Sequence, residues 1–109
     1  IVDQIYIAEN IQKYIVSLVF STREPSMYNL NDLESFINFG ASPRATIFLS
    51  TAAKSHAFLN QRAFVIPEDV RAVGKSILRH RIILTYEAEA QEITTEEIIQ
   101  KIYESVPLP

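Results

Sequence analysis

The sequence contains no cysteine and only two glycines, and each shortage restricts what the chain can be. Without cysteine, neither a disulfide framework nor a thiolate metal site is possible. The scarcity of glycine, together with an apolar content of 48%, argues against disorder and for a folded, helix-rich unit. A length of 109 residues suits one domain with a single core.

Signals of several other protein classes are also missing. No apolar run approaches the roughly eighteen residues of a membrane span, and no signal peptide is visible. The lack of cysteine agrees with a cytoplasmic location. No Gly-x-x-x-x-Gly-Lys-Ser/Thr loop occurs, so the sequence holds no phosphate cradle of its own. Because the chain begins at Ile1 without methionine, we expect it to be a domain cut from a longer protein.

The spacing of apolar residues predicts an all-α fold, with four long helices over residues 2–22, 43–60, 67–79 and 95–105. Short extended segments are expected near 64–66 and 81–85. In the second helix the predicted buried face carries Phe48 or Leu49, His56 and Leu59. We expect His56 to be packed or hydrogen-bonded rather than a ligand, because no further His, Asp or Glu stands at metal spacing beside it.

The connections between these helices have their own patterns. Residues 24–39 predict an ordered loop with one helical turn, which places Phe36 and Phe39 in the core. Stacking of Phe39 on an adenine base is a second interpretation. Residues 86–92 predict a polar connection, and Thr94 with Glu97 predicts a capping box at the start of the last helix.

The stretch Gly40-Ala41-Ser42-Pro43-Arg44-Ala45 is typical of a helix start. Gly40 tolerates a positive φ, the Ser42 side chain can accept a hydrogen bond from a free backbone N–H, and Pro43 suits a first helical position. Arg44 would then lie beside unpaired N–H groups and the positive end of the helix dipole, a setting that suits an anion. The alternative is that Arg44 is a solvated side chain.

Further blocks follow this stretch in register, and together the set closely resembles the C-terminal lid of the MoxR family of AAA+ ATPases. The resemblance runs from about Ile11 to Pro109, nearly the whole chain. The blocks after residue 45 are Ala52-Ala-Lys54 with Ala57, then Arg62, then Val65-Ile-Pro-Glu-Asp-Val70, and Leu78-Arg-His-Arg-Ile82. Ile66 and Gln61 depart from the family pattern, which usually has Ser or Thr and Gly at these positions.

The resemblance implies a role for individual residues. It makes Arg44 the sensor-2 arginine, which contacts the γ-phosphate of ATP, with Ser42 and Pro43 beside it. Arg23 and Arg81 are further candidates for the nucleotide side, although a cation near a helix C-terminus is also explained by the dipole. The resemblance implies no metal site in this chain, since ATP and Mg²⁺ would be bound mainly by a separate P-loop core.

The resemblance also implies a function for the longer protein. That protein would be an ATPase that assembles as a homo-oligomeric ring, a hexamer, and assists the maturation of partner proteins in a chaperone-like way, whereas the fragment alone would catalyse nothing. The alternative is a free-standing helical interaction or DNA-binding module that uses Arg79, His80 and Arg81. Ten basic against thirteen acidic residues give a net charge of -3, which argues against nucleic acid as a partner.

Overall fold

This computed structural model describes residues 4–109. They contain five α-helices and one two-stranded sheet, joined by turns and loops. The helices are α1 (Glu9–Arg23), α2 (Ala45–Leu59), α3 (Pro67–Arg79), α4 (Tyr86–Ala90) and α5 (Thr95–Ser105), and the strands are β1 (Ile37–Phe39) and β2 (Ile83–Leu84). The prediction of an all-α bundle with four long helices is confirmed, and α3 and α5 have the predicted bounds.

The core lies among the four long helices, and α2 packs most extensively on α3. Residues with no exposed surface come from all four: Leu18, Val19, Leu49, Ala53, Val70, Leu78, Ile99 and Ile102. Gly74 permits α3 to approach α5 closely, because a Cβ at this position would lie 2.7 Å from the Tyr103 hydroxyl oxygen. Within residues 4–109, no helix is both long and apolar enough to cross a membrane.

The start of α1 differs from the prediction. The helix begins at Glu9, whereas residues 4–8 run beside the chain at residues 63–65. The Tyr6 N–H donates to the Ala63 carbonyl at 2.8 Å, and the Val65 N–H donates to the Tyr6 carbonyl at 2.9 Å. This pairing satisfies the backbone groups that a helix would have used, so the predicted start is wrong. Residues 2 and 3 of that prediction lie outside the described residues.

The connection from α1 to α2 contains two 3₁₀ turns, Pro25–Tyr28 and Asn31–Leu33, followed by β1. Strand β1 pairs antiparallel with β2 in the predicted extended region, with Phe39 opposite Ile83. Phe36 packs against the core, as predicted. Phe39 is 62% exposed, so its predicted burial is wrong; Ile83, its partner across the sheet, is exposed as well.

The segment that follows β2 is more regular than predicted. Instead of a polar connection, it forms the short helix α4, whose start is capped by the Thr85 hydroxyl accepting from the Ala88 N–H at 3.1 Å. Helix α5 then begins with the Thr94 hydroxyl accepting from the Glu97 N–H at 3.2 Å. The predicted capping role of Thr94 is thereby confirmed.

Candidate functional site

The site predicted from the sequence lies where the chain enters α2. The α-helix begins at Ala45 rather than Pro43, because the preceding residues form tighter turns. The Ala45 N–H donates to the Ser42 carbonyl at 2.9 Å, and the Thr46 N–H donates to the Pro43 carbonyl at 3.1 Å. The Ser42 hydroxyl accepts from the Arg44 N–H at 3.2 Å, which is the predicted capping contact. Arg44 therefore precedes the helix and projects from a short capped turn.

This turn is attached to the end of α1. The Ala41 N–H donates to the buried Thr22 hydroxyl at 2.9 Å, and that hydroxyl donates to the Val19 carbonyl at 2.6 Å. Gly40 does not have a positive φ, so the predicted reason for glycine is wrong. A Cβ at Gly40 would lie 2.3 Å from the Thr22 carbonyl oxygen. Glycine is needed here because two backbones are almost in contact.

Arg23, the first of the further candidates, is brought to the same corner. Its Nη1 donates to the Ala41 carbonyl at 3.5 Å, and the side chain borders a cleft of about 260 Å³ that also has Gly40 and Asn38 in its wall. Arg44 is exposed. Within the part of the chain that the structure describes, Arg44 forms no ion pair with Asp or Glu.

Arg81, the second further candidate, lies against α2. Its guanidinium carbon is 4.5 Å from the centroid of the Phe48 ring. Phe48 follows Arg44 by four residues, one helical turn, so the two share a face of the helix. Arg81 thus contacts α2 at Phe48, one helical turn after Arg44. Phe48 is 49% exposed, and of the two residues considered for the buried face only Leu49 is in the core.

With this geometry established, the chain can be compared with known proteins. Residues 32–102, well over half of the chain, match the family described as the AAA lid domain. The chain belongs to the AAA lid domain family. The lid is 46% identical over 96 residues to Chaperone MoxR1 of Mycobacterium tuberculosis, an alignment that covers 88% of the lid and 26% of that protein.

Two further comparisons agree with this assignment. The lid is 32% identical over 105 residues to Protein MoxR of Methylorubrum extorquens, covering 91% of the lid and 30% of the relative. A crystal structure of a proposed ATPase from Cytophaga hutchinsonii matches 99% of the lid and 33% of its own chain, with a TM-score of 0.96 and 47% identity. The lid therefore spans about a quarter to a third of these proteins. Its resemblance to the lid of MoxR-family AAA+ ATPases is confirmed.

A second polar cluster in the lid lies at the far end of α2 and centres on the buried carboxylate of Asp69. Its Oδ1 is 2.6 Å from His56 Nδ1 and also accepts from the Arg62 guanidinium, and its Oδ2 accepts from the Ile66 N–H at 2.8 Å. Burial alone would raise the pKa of Asp69, but the hydrogen bonds from Arg62, Ile66 and His56 outweigh it and lower that pKa below its usual value. The expectation that His56 is hydrogen-bonded is confirmed.

Both departures from the family pattern lie at or beside this cluster. Ile66 cannot cap α3 with its side chain, and Asp69, three residues on, instead accepts from its backbone N–H. Gln61 has a φ of 60° at the residue after the C-cap of α2. Bonds from Gln61 N–H to the Phe58 carbonyl and from Arg62 N–H to the Ala57 carbonyl close this helix end. This is the Schellman arrangement, in which glycine is the usual residue at that position.

Sequence reasoning missed the buried contacts of Asp69 and the position of Phe48. Asp69 was recognised only as a favourable first-turn acid, although a carboxylate three residues after a cap position is itself a signal for half a capping box. The predicted burial of Leu59 is wrong, since it is 78% exposed at the end of α2. Within residues 4–109, no group of three or more Asp, Glu and His side chains is arranged to hold a metal ion.

Proposed function

We propose that residues 1–109 form the nucleotide-sensing lid of a MoxR-type AAA+ ATPase whose P-loop core lies elsewhere in the same protein. The observation that carries this proposal is the setting of Arg44. Its guanidinium is exposed and forms no ion pair within the described part of the lid, while its backbone is fixed by Ser42 and, through Ala41, by Thr22. A fixed backbone with a free cation suits contact with an anion that belongs to another domain.

In this proposal Arg44 contacts the γ-phosphate of ATP, and Ser42 and Pro43 hold its turn in place. A guanidinium suits the task because its planar fork can donate to two phosphate oxygens at once. Such a cation accelerates phosphoryl transfer by lying where negative charge develops. Arg23 and Arg81 add positive charge on either side of Arg44. ATP and Mg²⁺ would be held mainly by the core, where the metal neutralises phosphate charge.

We further propose that the full-length protein hydrolyses ATP as a homo-oligomeric ring, a hexamer, in the cytoplasm, and that closure of the lid transmits the nucleotide state to a partner protein. The name of the Mycobacterium tuberculosis relative, a chaperone, supports the remodelling role. The DNA-binding alternative gains no support from the structure. Arg79 lies 3.7 Å from Glu96, so the charge of one of the three neighbouring basic residues is compensated within the lid.

The test is ATP turnover by the full-length protein with Arg44→Ala and Arg44→Lys. We expect turnover to fall by about 100-fold or more in Arg44→Ala, with little change in ATP affinity or melting temperature. Arg44→Lys should have turnover nearly as low as that of Arg44→Ala, because lysine lacks the planar fork. Arg79→Ala is the matched control, an exposed arginine at the end of α3. Unchanged turnover in Arg44→Ala would contradict the proposal.

A further inference from the structure

Phe48 has a position that core packing does not explain. Half of its surface is exposed, and the exposed ring carries the guanidinium of Arg81, 4.5 Å from its centroid. A guanidinium on a ring face is held both by the ring's electrostatic field and by stacking. The ring therefore limits where an otherwise mobile side chain can lie.

The charge of Arg81 is left uncompensated by this contact. Within residues 4–109, Arg81 forms no ion pair with Asp or Glu, whereas the nearby Arg79 is paired with Glu96. Beside the stack lies a groove of about 410 Å³ whose lining includes Ile77 and Ala52 as well as Phe48. Arg81 thus presents a full positive charge next to an apolar surface, and this charge is available to an anion from outside the lid.

The position of the stack one helical turn after Arg44 indicates which kind of anion Arg81 would bind. Side chains of a helix lean toward its N-terminus, so the Phe48 ring leans toward the turn that carries Arg44. The Phe48 N–H also donates to the Arg44 carbonyl at 3.4 Å, which fixes the one-turn spacing. Arg44 thus lies in the turn before α2, and Arg81 lies on the ring of Phe48 in the first turn of the same helix. An extended anion with several charges, such as a polyphosphate chain, suits two arginines at one end of a helix.

We propose that Phe48 is a positioning residue that holds Arg81 beside Arg44, so that both arginines bind the polyphosphate chain of one nucleotide. This inference rests on the proposed function and deepens it. Arg44 contacts the terminal phosphate, and Arg81 adds a second contact that is stronger for a triphosphate than for a diphosphate. Orienting Arg81 before the nucleotide arrives reduces the side-chain entropy lost on binding.

The experiment measures the affinity of the full-length protein for ADP and for a non-hydrolysable ATP analogue with Mg²⁺. We expect Arg81→Ala to weaken binding of the ATP analogue by about tenfold or more. Phe48→Leu, which keeps an apolar side chain but removes the ring, should weaken it by about two- to fivefold. In both variants, binding of ADP should weaken less than binding of the ATP analogue. Phe48→Tyr retains the ring face and should bind like the parent protein.

Two comparisons separate positioning from a structural effect. The double variant with Phe48→Leu and Arg81→Ala should bind the ATP analogue as Arg81→Ala alone does, because Phe48 acts through Arg81. Phe58→Leu is the matched control. Phe58 is a partly exposed phenylalanine of the same helix, 43% against 49% for Phe48, and no arginine stacks on it within the described residues. It should leave both affinities unchanged.

Two results would overturn the inference: equal effects of Phe48→Leu and Phe58→Leu, or unchanged ATP-analogue affinity in Arg81→Ala, either alone or together with loss of ring assembly. Loss of ring assembly would assign Arg81 to a subunit contact. If Arg44→Ala abolishes turnover while the Phe48 and Arg81 variants bind like the parent, only this inference fails. If Arg44→Ala also retains full turnover, the proposed function fails with it.

Discussion

His56 on α2 and Asp69 on α3 are joined by a hydrogen bond of 2.6 Å between Nδ1 and Oδ1, and the carboxylate has no exposed surface. The same carboxylate binds Arg62 in the turn between the helices and the backbone N–H at the start of α3. One buried acidic group therefore connects both helices and the turn that joins them. This cluster lies at the opposite end of α2 from Arg44.

The first prediction concerns the stability contributed by Asp69. Asp69→Asn should lower the free energy of unfolding by about 3 kcal/mol or more, because it leaves the Arg62 guanidinium partly buried without its counter-charge. Urea denaturation of the protein measures the change. Glu68→Gln is the matched control, since Glu68 is an exposed carboxylate in the same helical turn and should change stability by less than about 0.5 kcal/mol. Equal midpoints for the two variants would contradict the prediction.

The second prediction concerns the free energy of unfolding at low pH. The pKa of Asp69 is lowered in the folded state, so the stabilising charge is fully present above the ordinary carboxyl pKa of 3.8 and is lost as the pH falls through the lower, folded value. The free energy of unfolding should therefore decline below about pH 4. The decline should be smaller in Asp69→Asn. Hydrogen bonding from Lys101 also lowers the pKa of Asp32, an exposed residue. The variant Asp32→Asn measures how much Asp32 contributes to the decline in the free energy of unfolding.

The third prediction concerns the contact between α1 and the turn before α2. Thr22→Val keeps the shape of the side chain but leaves the buried Ala41 N–H without an acceptor, at a cost of about 1–3 kcal/mol. Thr22→Ser retains the hydroxyl and should lose less stability than Thr22→Val. If the contact also positions Arg44, ATP turnover of the full-length protein should fall in Thr22→Val and persist in Thr22→Ser. Identical melting temperatures for both variants would exclude the expected role of the hydroxyl.

The fourth prediction concerns Gln61. Its positive φ is costly for a residue with a Cβ and costs glycine little. Gln61→Gly should therefore stabilise the lid by about 0.5–1 kcal/mol, despite the greater freedom of glycine in the unfolded chain. Thermal unfolding measures the shift. The control is Gln91→Gly, at an exposed residue with a negative φ of -91° after α4, which should be destabilising. A lower melting temperature for Gln61→Gly would show that the turn is not strained.

The four long helices were predictable because each has a strong apolar repeat, and the start of α3 was found because Pro67 and two acidic residues follow one another. The start of α1 was not predictable in the same way. Its apolar spacing continues back to Ile5, and only the distant partner at residues 63–65 selects an extended path. Likewise, the exposed position of Phe39 opposite Ile83 follows from pairing between β1 and β2, which lie far apart in sequence. Helix α4, by contrast, was missed although its Thr85 cap is a local contact.

For the candidate site, local signals predicted Ser42, Pro43 and Arg44, because a helix start is encoded by adjacent residues. The capping contact of Ser42 is present, although the helix begins at Ala45 rather than Pro43. The reason for Gly40 was wrong, since the close approach of Thr22 is a tertiary fact that no local pattern contains. The pairing of Asp69 with Arg62 and His56 and the position of Phe48 were missed for the same reason, whereas the bond from the Ile66 N–H to Asp69 had a local signal. Each acts through residues at least seven positions away: Arg62 and His56 for Asp69, and Arg81 for Phe48.

The pairing of β1 with β2 has a consequence for the order of folding. It joins residues 37–39 to residues 83–84, and so closes a loop that contains the whole α2–α3 hairpin. Contacts within that hairpin are closer in sequence and should form first, because long loops are costly to close before their contacts form. We expect amide hydrogen exchange to be faster at Phe39 and Thr85 than in the middle of α2. Residues 37–39, just before the turn of Arg44, would thus reach their final place late. A lid with all its long helices formed would still lack the strand pairing that leads into the proposed binding site.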